Sequence, residues 1–278
     1  MAYRKAKVIA IVNQKGGVAK STTSQNLGVA LASKRKKVLL IDLDPQGSLS
    51  KFVDRYYFRK NVGYDEDGKP KYENYTLPVK KTIFGVLQGQ TNMKEIILDT
   101  GKCDIAPTNI LMANADVALA GEMSREKLLK EAIKEVRNLY DYILIDCPPS
   151  LGLLTLNAMV AADSIIIPIA AEYAALEGTA QLLDTTKIVK KKFNTKLKVM
   201  GFVLTRVDKR RALDRSVEEE VRTLYKDVVF HTVIRQNAPI AEAPSKHTDI
   251  FSYAASKKNC YGIIDYRNLA KEVIERSE

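Results

Sequence analysis

Short apolar runs rich in Val and Ile alternate with longer segments of helical periodicity, and this alternation constrains the fold more than any other feature of the chain. The apolar runs are typical of strands buried on both faces and cover residues 8–12, 38–41, 142–145, 164–169 and 200–205. The periodic segments cover residues 20–33, 124–138, 176–193, 214–225 and 261–276. The pattern predicts an α/β fold, in which helices cover both faces of a mostly parallel, twisted sheet.

Length and composition exclude several other classes of protein. The 278 residues suffice for one large domain, which we expect to span residues 1–278, and 46% hydrophobic with 28% charged residues is typical of a globular chain. No apolar run approaches the ~20 residues that span a bilayer, and no signal-peptide pattern is present. Three widely spaced cysteines indicate a reducing compartment. Residues 55–81 are polar, rich in Tyr and in charged residues, and contain two Gly and two Pro, so we expect a surface insertion there.

A glycine-containing loop lies between the first predicted strand and the first predicted helix. Backbone N–H groups and the positive end of the helix dipole converge at such a loop, which favours phosphate binding. Gly16 and Gly17 let the backbone approach the phosphates, and Lys20 can reach the β and γ oxygens. The Ser21 hydroxyl can coordinate Mg²⁺, and Thr22 can donate to the α-phosphate. The ordinary P-loop pattern is not matched, so the alternative interpretation is a turn that binds nothing.

Three carboxylates follow apolar strands at the sheet edge where the phosphates would lie. Asp42 and Asp44 are two residues apart, which places them on one side of their strand. Asp146 ends another strand and is followed by Cys-Pro-Pro, which matches a Walker B strand whose carboxylate holds Mg²⁺ through water. In isolation, Asp42 and Asp44 could equally be a polar strand terminus that caps the turn at Pro45.

The loop sequence Lys-Gly-Gly-Val-Ala-Lys-Ser resembles the deviant Walker A motif, K-G-G-x-x-K-[ST], of the ParA/MinD family of ATPases. The resemblance covers nearly the whole chain outside residues 55–81, and it is strongest to the small ParA-type partition and chromosome-segregation ATPases. It implies a P-loop NTPase fold with ATP and Mg²⁺ as cofactors. The loop positions that it assigns to the nucleotide are Lys15, Gly16, Gly17, Val18, Ala19, Lys20, Ser21 and Thr22. Ala19 stands where similar members of the family have Gly.

The resemblance also implies roles for individual residues. Lys15 would be the signature lysine, which reaches across an ATP-bridged homodimer to the partner's nucleotide and completes a catalytic set with Lys20 and Asp44. Asp44, in switch I, would orient the attacking water, and Asp42 would lie near the water shell of the metal. The implied metal group is Ser21, Asp42 and Asp146. The adenine would lie against Arg206, Arg235 and Asn237, although relatives often have Pro-Arg where this chain has Arg235 and Gln236.

The positive charge of the chain is concentrated in one segment. The formal net charge is +11, and residues 187–215 contain 11 Lys or Arg and 2 Asp, a surplus of nine. Lys209, Arg210 and Arg211 form a basic turn, and by resemblance the Arg210 position contacts DNA in small ParA proteins. The family's second basic position is a proline here, so Arg235 is expected to supply that charge or to face the nucleotide. A basic turn can also be only a solvated surface.

The sequence is therefore interpreted as an ATPase that dimerises with ATP, binds DNA without sequence preference and drives plasmid or chromosome segregation. A ParB-type partner would stimulate hydrolysis, and the protein would be cytoplasmic, bacterial and nucleoid-associated, with no membrane partner. The alternative is a MinD-like membrane-associated ATPase, which needs a basic amphipathic C-terminal helix; residues 268–278 instead carry three acids and two bases. A carboxylate-activating enzyme and an iron–sulfur ATPase match less well, because neither substrate-specific residues nor paired cluster cysteines are found.

Overall fold

A seven-stranded sheet forms the centre of the molecule in the computed structural model, which describes residues 5–53, 59–74, 76–172, 176, 178–257 and 260–278. The described residues form nine strands, seven of which belong to this sheet. They are β1 (Lys7–Ile11), β2 (Val38–Asp42), β3 (Arg59–Tyr64), β4 (Pro70–Asn74), β5 (Leu98–Asp99), β6 (Asp104–Ala106), β7 (Tyr142–Asp146), β8 (Ser164–Ala170) and β9 (Lys198–Thr205). The order in the large sheet is β5-β6-β2-β7-β1-β8-β9, and every neighbouring pair is parallel except β5 with β6. The predicted mostly parallel sheet is confirmed.

Helices cover both faces of this sheet, as the alternation of apolar runs and periodic segments predicts. They are α1 (Lys20–Ser33), α2 (Ser48–Val53), α3 (Ile83–Leu87), α4 (Met93–Ile96), α5 (Ala115–Ala118), α6 (Leu128–Lys134), α7 (Leu153–Ala161), α8 (Thr179–Lys192), α9 (Ala212–Tyr225), α10 (Ala238–Glu242), α11 (Ile250–Tyr253) and α12 (Tyr261–Ser277). One apolar core includes residues of α6, α7 and α8, and the other includes residues of α1 and α12. The sheet is therefore buried on both sides.

The register of the central strands determines which residues meet at the carboxyl edge of the sheet. β7 lies between β2 and β1, and its last residue, Asp146, is paired with Asp42 on one side and with Ile11 on the other. Because parallel strands end at the same edge, the two carboxylates are brought together beside the loop that follows β1. Helix α1 packs tightly against this region, since a Cβ atom at Gly28 would come within 2.7 Å of Leu40 Cδ2.

Residues 55–81 contain more regular structure than the predicted surface insertion requires. Within the described part, β3 and β4 form a separate antiparallel hairpin, and a 3₁₀ turn follows at Val79–Lys81. The hairpin turn is stabilised by Asp65, whose carboxylate accepts from the backbone N–H of Lys69 at 2.7 Å, and by Gly68, whose φ is +75°. Residues 55–58 and 75 of the predicted insertion lie outside the described residues.

Candidate nucleotide site

The loop between β1 and α1 is held at the carboxyl edge of the sheet by a buried asparagine. Asn13 Nδ2 donates to the Pro168 carbonyl at 2.6 Å, and Asn13 Oδ1 accepts from the Lys15 backbone N–H at 2.9 Å. The chain then passes through the left-handed region twice, at Gly17 (φ 76°) and at Ala19 (φ 64°). Ala19 immediately precedes helix α1, and its carbonyl accepts from the Thr23 backbone N–H at 2.9 Å. The helix N-terminus therefore points into the concave side of the loop, as anion binding requires.

Ala19 carries backbone strain that a glycine would not have, because its Cβ atom is crowded in the left-handed region. We expect Ala19→Gly to raise the free energy of unfolding by about 0.5–1 kcal/mol, the relief of strain exceeding the added chain entropy of the unfolded state. Thermal unfolding without nucleotide measures this. The control is Ala180→Gly, at an exposed position in the first turn of α8 with no positive φ, where the substitution relieves no strain and should not raise stability. A lower stability of Ala19→Gly would contradict the inferred strain.

Lys20 lies inside the loop and is almost fully buried, with 7% of the residue exposed. Its ammonium group donates to the Lys15 carbonyl at 3.0 Å. Burial lowers the pKa of Lys20, and the nearby carboxylate of Asp146 opposes that shift. The ammonium group therefore lies among carbonyl and carboxylate oxygens on the inner side of the loop.

Asp42 and Asp146 form a fully buried acidic pair beside Lys20. Burial raises the pKa of Asp42. The hydrogen bonds that its carboxylate accepts from Ser50 Oγ and the Ser50 backbone N–H, each at 2.7 Å, lower the pKa but do not outweigh burial. Burial and the neighbouring Asp42 charge raise the pKa of Asp146, although Ser24 Oγ donates to its Oδ1 at 2.9 Å. Burial disfavours the charged form of both carboxyl groups, and a cation bound beside them would favour it.

The same corner meets the requirements of a magnesium ion bound together with phosphates. Asp146 Oδ2 is buried and has no hydrogen-bond partner among the described residues. The Ser21 side chain hydrogen-bonds to the same carboxyl group. No group of three or more His, Cys, Asp and Glu side chains in the described ranges could hold a metal ion by itself. Mg²⁺ commonly keeps several waters and binds one or two protein oxygens plus phosphates, so Ser21 and Asp146 fit it. Asp42 is less suited to bind the metal directly, because its oxygens already accept hydrogen bonds from Ser50 and from the Asp44 backbone N–H.

Asp44 follows β2 and lines the cleft that contains the loop. Its carboxylate Oδ1 accepts from the Gln46 backbone N–H at 3.0 Å, and its carbonyl accepts from Gly47 N–H at 2.8 Å. These bonds fix the turn after β2, and Asp44, of which 9% is exposed, has its carboxylate near Lys20. The position suits a group that orients a water molecule beside the γ-phosphate.

Lys15 differs from Lys20 in environment, because it contacts Glu172, which is 157 positions away in the sequence. The Lys15 ammonium group lies 3.0 Å from Glu172 Oε2, and the Arg206 guanidinium lies 3.2 Å from Glu172 Oε1. The Lys15 hydrogen bond lowers the pKa of Glu172. One carboxylate therefore holds two cations at the rim of the loop. Residues 173–175 and 177, which follow Glu172, lie outside the described residues.

The loop opens into a cleft of about 490 Å³ that extends along the ends of β9 and α10. Arg206, Arg235 and Asn237, the residues predicted to contact the adenine, all line it. The sequence did not identify the apolar wall, which consists of Ile234, Ile240, Ala241, Pro244 and Tyr266. A polar phosphate end joined to an apolar pocket is the arrangement that a nucleotide needs.

The predicted DNA-binding residues lie in two different environments. Lys209, Arg210 and Arg211 form the turn before α9, where the Arg210 side chain is 91% exposed although it pairs with Asp208 at 2.7 Å. The Arg235 guanidinium is instead held by Asp265 and lies 4.0 Å from the ring centroid of Tyr261. The basic turn therefore lies at the surface, whereas Arg235 forms an ion pair with Asp265 at the wall of the cleft.

Comparisons with known proteins agree with this geometry. A family model described as an AAA domain matches residues 6–199. The sporulation initiation inhibitor protein Soj of Bacillus subtilis is 42% identical over 269 residues, covering 96% of this chain and 98% of Soj. The chromosome-partitioning ATPase Soj of Treponema pallidum is 39% identical and covers 97% of this chain and 98% of that protein. The crystal structure of cobyrinic acid a,c-diamide synthase from Mycobacterium smegmatis, with bound ADP and magnesium, superposes with a TM-score of 0.77 at 32% identity, covering 98% of this chain and 95% of that chain.

Proposed function

Because the chain belongs to the ParA-type family of ATPases, we propose that it is an ATP-driven dimer that binds DNA without sequence preference. It is an ATP hydrolase that uses Mg²⁺ and acts in segregation. The observation that carries the proposal is that one cleft is lined by the phosphate loop, the buried Lys20, Asp44 and an apolar wall. Within the described part of the chain, no helix is long and apolar enough to cross a membrane.

The residues of one chain supply most of what hydrolysis needs. The loop backbone and Lys20 would bind the β and γ phosphates, and Ser21 and Asp146 would hold Mg²⁺, which would supply positive charge to neutralise the transferring phosphoryl group. Asp44 orients water for attack on the γ-phosphorus. Positioning and charge stabilisation of this kind do most of the work in phosphoryl transfer.

Lys15 supplies the remaining cation, and we assign it to the nucleotide of a second copy. Its ammonium group is turned to Glu172 at the rim and not to the concave side of its own loop, and a third of its side chain is exposed. A lysine in that position is available to a partner that approaches the carboxyl edge of the sheet. Such a dimer is symmetric, so each chain gives one lysine and receives one. A ParB-type partner would act on this assembled state.

The basic turn at residues 209–211 is the proposed DNA contact of the ATP-bound dimer. Its side chains project from the surface near the nucleotide cleft, and pairing two chains doubles the number of phosphate contacts. Arg235 is assigned to the cleft wall instead, since its side chain is only 28% exposed, against 91% for Arg210, and is paired with Asp265.

We expect Lys209→Ala/Arg210→Ala/Arg211→Ala to lower ATP-dependent binding to duplexes of every sequence. The slope of log affinity against log salt concentration should become shallower by about one unit for each DNA phosphate that the variant no longer neutralises. The single variant Arg210→Ala should show the same two effects to a smaller extent. Fluorescence anisotropy with a labelled duplex of random sequence measures both quantities. Hydrolysis without DNA should be unchanged. A matched control is Lys80→Ala/Lys81→Ala/Lys94→Ala, which removes three exposed charges elsewhere. Full affinity and slope in the triple variant would refute the assignment.

A carboxylate-activating reaction is the competing function, because the superposed M. smegmatis synthase bears the name of a diamide-forming enzyme. We favour segregation, since the chromosome-partitioning ATPase of T. pallidum is 39% identical to this chain, against 32% for the synthase. Phosphate release measured with and without duplex and a ParB-type partner separates the two functions.

A further inference from the structure

Strand β9 divides the basic segment at residues 187–215 into two surfaces at opposite ends of the sheet. Arg206 to Arg215 lie at the carboxyl end, beside the nucleotide cleft, whereas Lys187 to Lys198 lie at the amino end. The eight residues of β9 separate the two groups by about 23 Å. The amino-end group therefore cannot belong to the nucleotide site or to the basic turn at residues 209–211.

The amino end of the sheet forms its own cleft, of about 960 Å³, which we call the amino-edge cleft. Five lysines line it, from β1 and the residues before it, from the end of α8, and from β9 and the loop before it; they are Lys5, Lys7, Lys190, Lys196 and Lys198. The parallel register explains this convergence, because β8 lies between β1 and β9, and Ser164 of β8 is paired with Lys198. Residues far apart in the chain are thus assembled into one basic surface.

The lysines of the amino-edge cleft are not neutralised by the acids around them. Asp163 pairs with Arg137, and Arg276 is occupied by the carbonyls of Met200 and Val229. None of the five lysines has an acidic partner within 4.0 Å in the part of the chain that the structure describes. Asp227 and Glu278 also line the cleft, but seven basic side chains face three acidic ones. A ligand with several negative charges is complementary to such a surface.

From this arrangement we infer that the amino-edge cleft binds the phosphate backbone of duplex nucleic acid, as a second contact separate from the basic turn. The shape of the cleft favours this ligand over an anionic membrane. A membrane surface is flat and is held by apolar side chains inserted beside the basic ones. The described lining is concave and contains no aromatic residue; of its large apolar members, Val199 and Met200 are partly buried, and Val228 alone is exposed, at 39%. A ridge of backbone phosphates can enter it.

The contact is expected to be independent of nucleotide, because all its residues belong to one chain and lie away from the phosphate loop. It should appear as weak, sequence-insensitive binding by the nucleotide-free protein at low salt, and it should add to the ATP-dependent binding proposed above. The proposal does not rest on that function. If no ATP-dependent DNA binding is observed, the binding of the nucleotide-free protein through the amino-edge cleft can still be tested separately.

The test compares three triple variants of the full chain without nucleotide, using anisotropy of a labelled random duplex between about 50 and 200 mM salt. Lys190→Ala/Lys196→Ala/Lys198→Ala replaces exposed residues and should lower the affinity at the lowest salt by about tenfold or more, with a slope shallower by up to about three units. Lys190→Arg/Lys196→Arg/Lys198→Arg keeps the charge and should retain parent affinity. The Lys80, Lys81 and Lys94 control should change it by no more than about twofold.

Equal losses in the amino-edge and control variants would overturn the proposal, because they would indicate a general charge effect. Parent affinity and slope in the amino-edge alanine variant would overturn it as well. A third arm uses phosphatidylserine vesicles: sedimentation with vesicles that depends on these lysines, without a matching effect on duplex binding, would replace nucleic acid by an anionic membrane as the ligand. Repeating the duplex arm with ATP separates this contact from residues 209–211.

Discussion

Lys20→Ala is expected to lose ATP binding almost completely. The ammonium group is buried in the loop, bonded to the Lys15 carbonyl, and faces the carboxylates of Asp146 and Asp44. Its removal takes away the cation for the β and γ phosphates and leaves those acids to repel them. Truncating one partner of a buried charge pair commonly costs about 2–5 kcal/mol, which corresponds to a loss of roughly 30-fold to several thousandfold in affinity. Calorimetric titration with Mg-ATP measures the loss.

Lys15→Ala is the matched control for this variant, since it removes the same charge five positions earlier in the same loop. The Lys15 side chain is a third exposed and pairs with Glu172, so its removal should change ATP affinity by only a few-fold while abolishing hydrolysis. Circular dichroism of both variants checks that the fold is retained. Equal loss of ATP binding in the two variants would show that the lysines do not have separate roles.

Asp44→Ala is expected to bind ATP with near-parent affinity but to hydrolyse it about 100-fold or more slowly. The carboxylate lines the cleft and is oriented by the Gln46 and Gly47 turn, while phosphate binding rests on other groups. Slow hydrolysis should make the ATP-bound dimer accumulate. Phosphate release and size-exclusion chromatography with light scattering measure the two effects.

Asp44→Asn is the companion variant, because it keeps the size and the hydrogen bond from the Gln46 backbone N–H but removes the charge. It should be as slow as Asp44→Ala if the carboxylate charge orients the water. An Asp44→Ala protein that remains a monomer of 31.0 kDa with ATP, under conditions where the parent dimerises, would contradict the role.

The long elements were predictable from the sequence because local periodicity determines them. Helix α1 begins and ends at the predicted residues 20 and 33, and β7 differs from its prediction by one residue. The predicted helix at 124–138 is shorter in the structure, with a 3₁₀ turn at Arg125–Lys127 and α6 ending at Lys134. Strand β6 has only three residues, which is too short for a recognisable pattern, and it was missed.

The candidate site shows the same division between local and long-range information. Lys20, Ser21, Asp42, Asp44 and Asp146 were recognisable because each lies within a motif or directly after an apolar strand. Glu172 contacts Lys15 across 157 positions of sequence, and no local pattern indicates such a pair. Tyr266, on α12, reaches the apolar wall only because that helix packs on α1. The amino-edge cleft likewise depends on strand order and not on the basic run alone.

The central claim, that Lys15 completes the active site of a second chain, is tested most directly by mixing two inactive variants. Lys15→Ala retains Asp44 and lacks the lysine, whereas Asp44→Ala retains the lysine and lacks the carboxylate. In a mixed dimer one of the two sites has both groups, and random pairing makes half of the dimers mixed. We therefore predict that an equal mixture hydrolyses ATP at about a quarter of the parent rate per chain. A mixture no more active than either variant alone, when both bind ATP, would contradict the account.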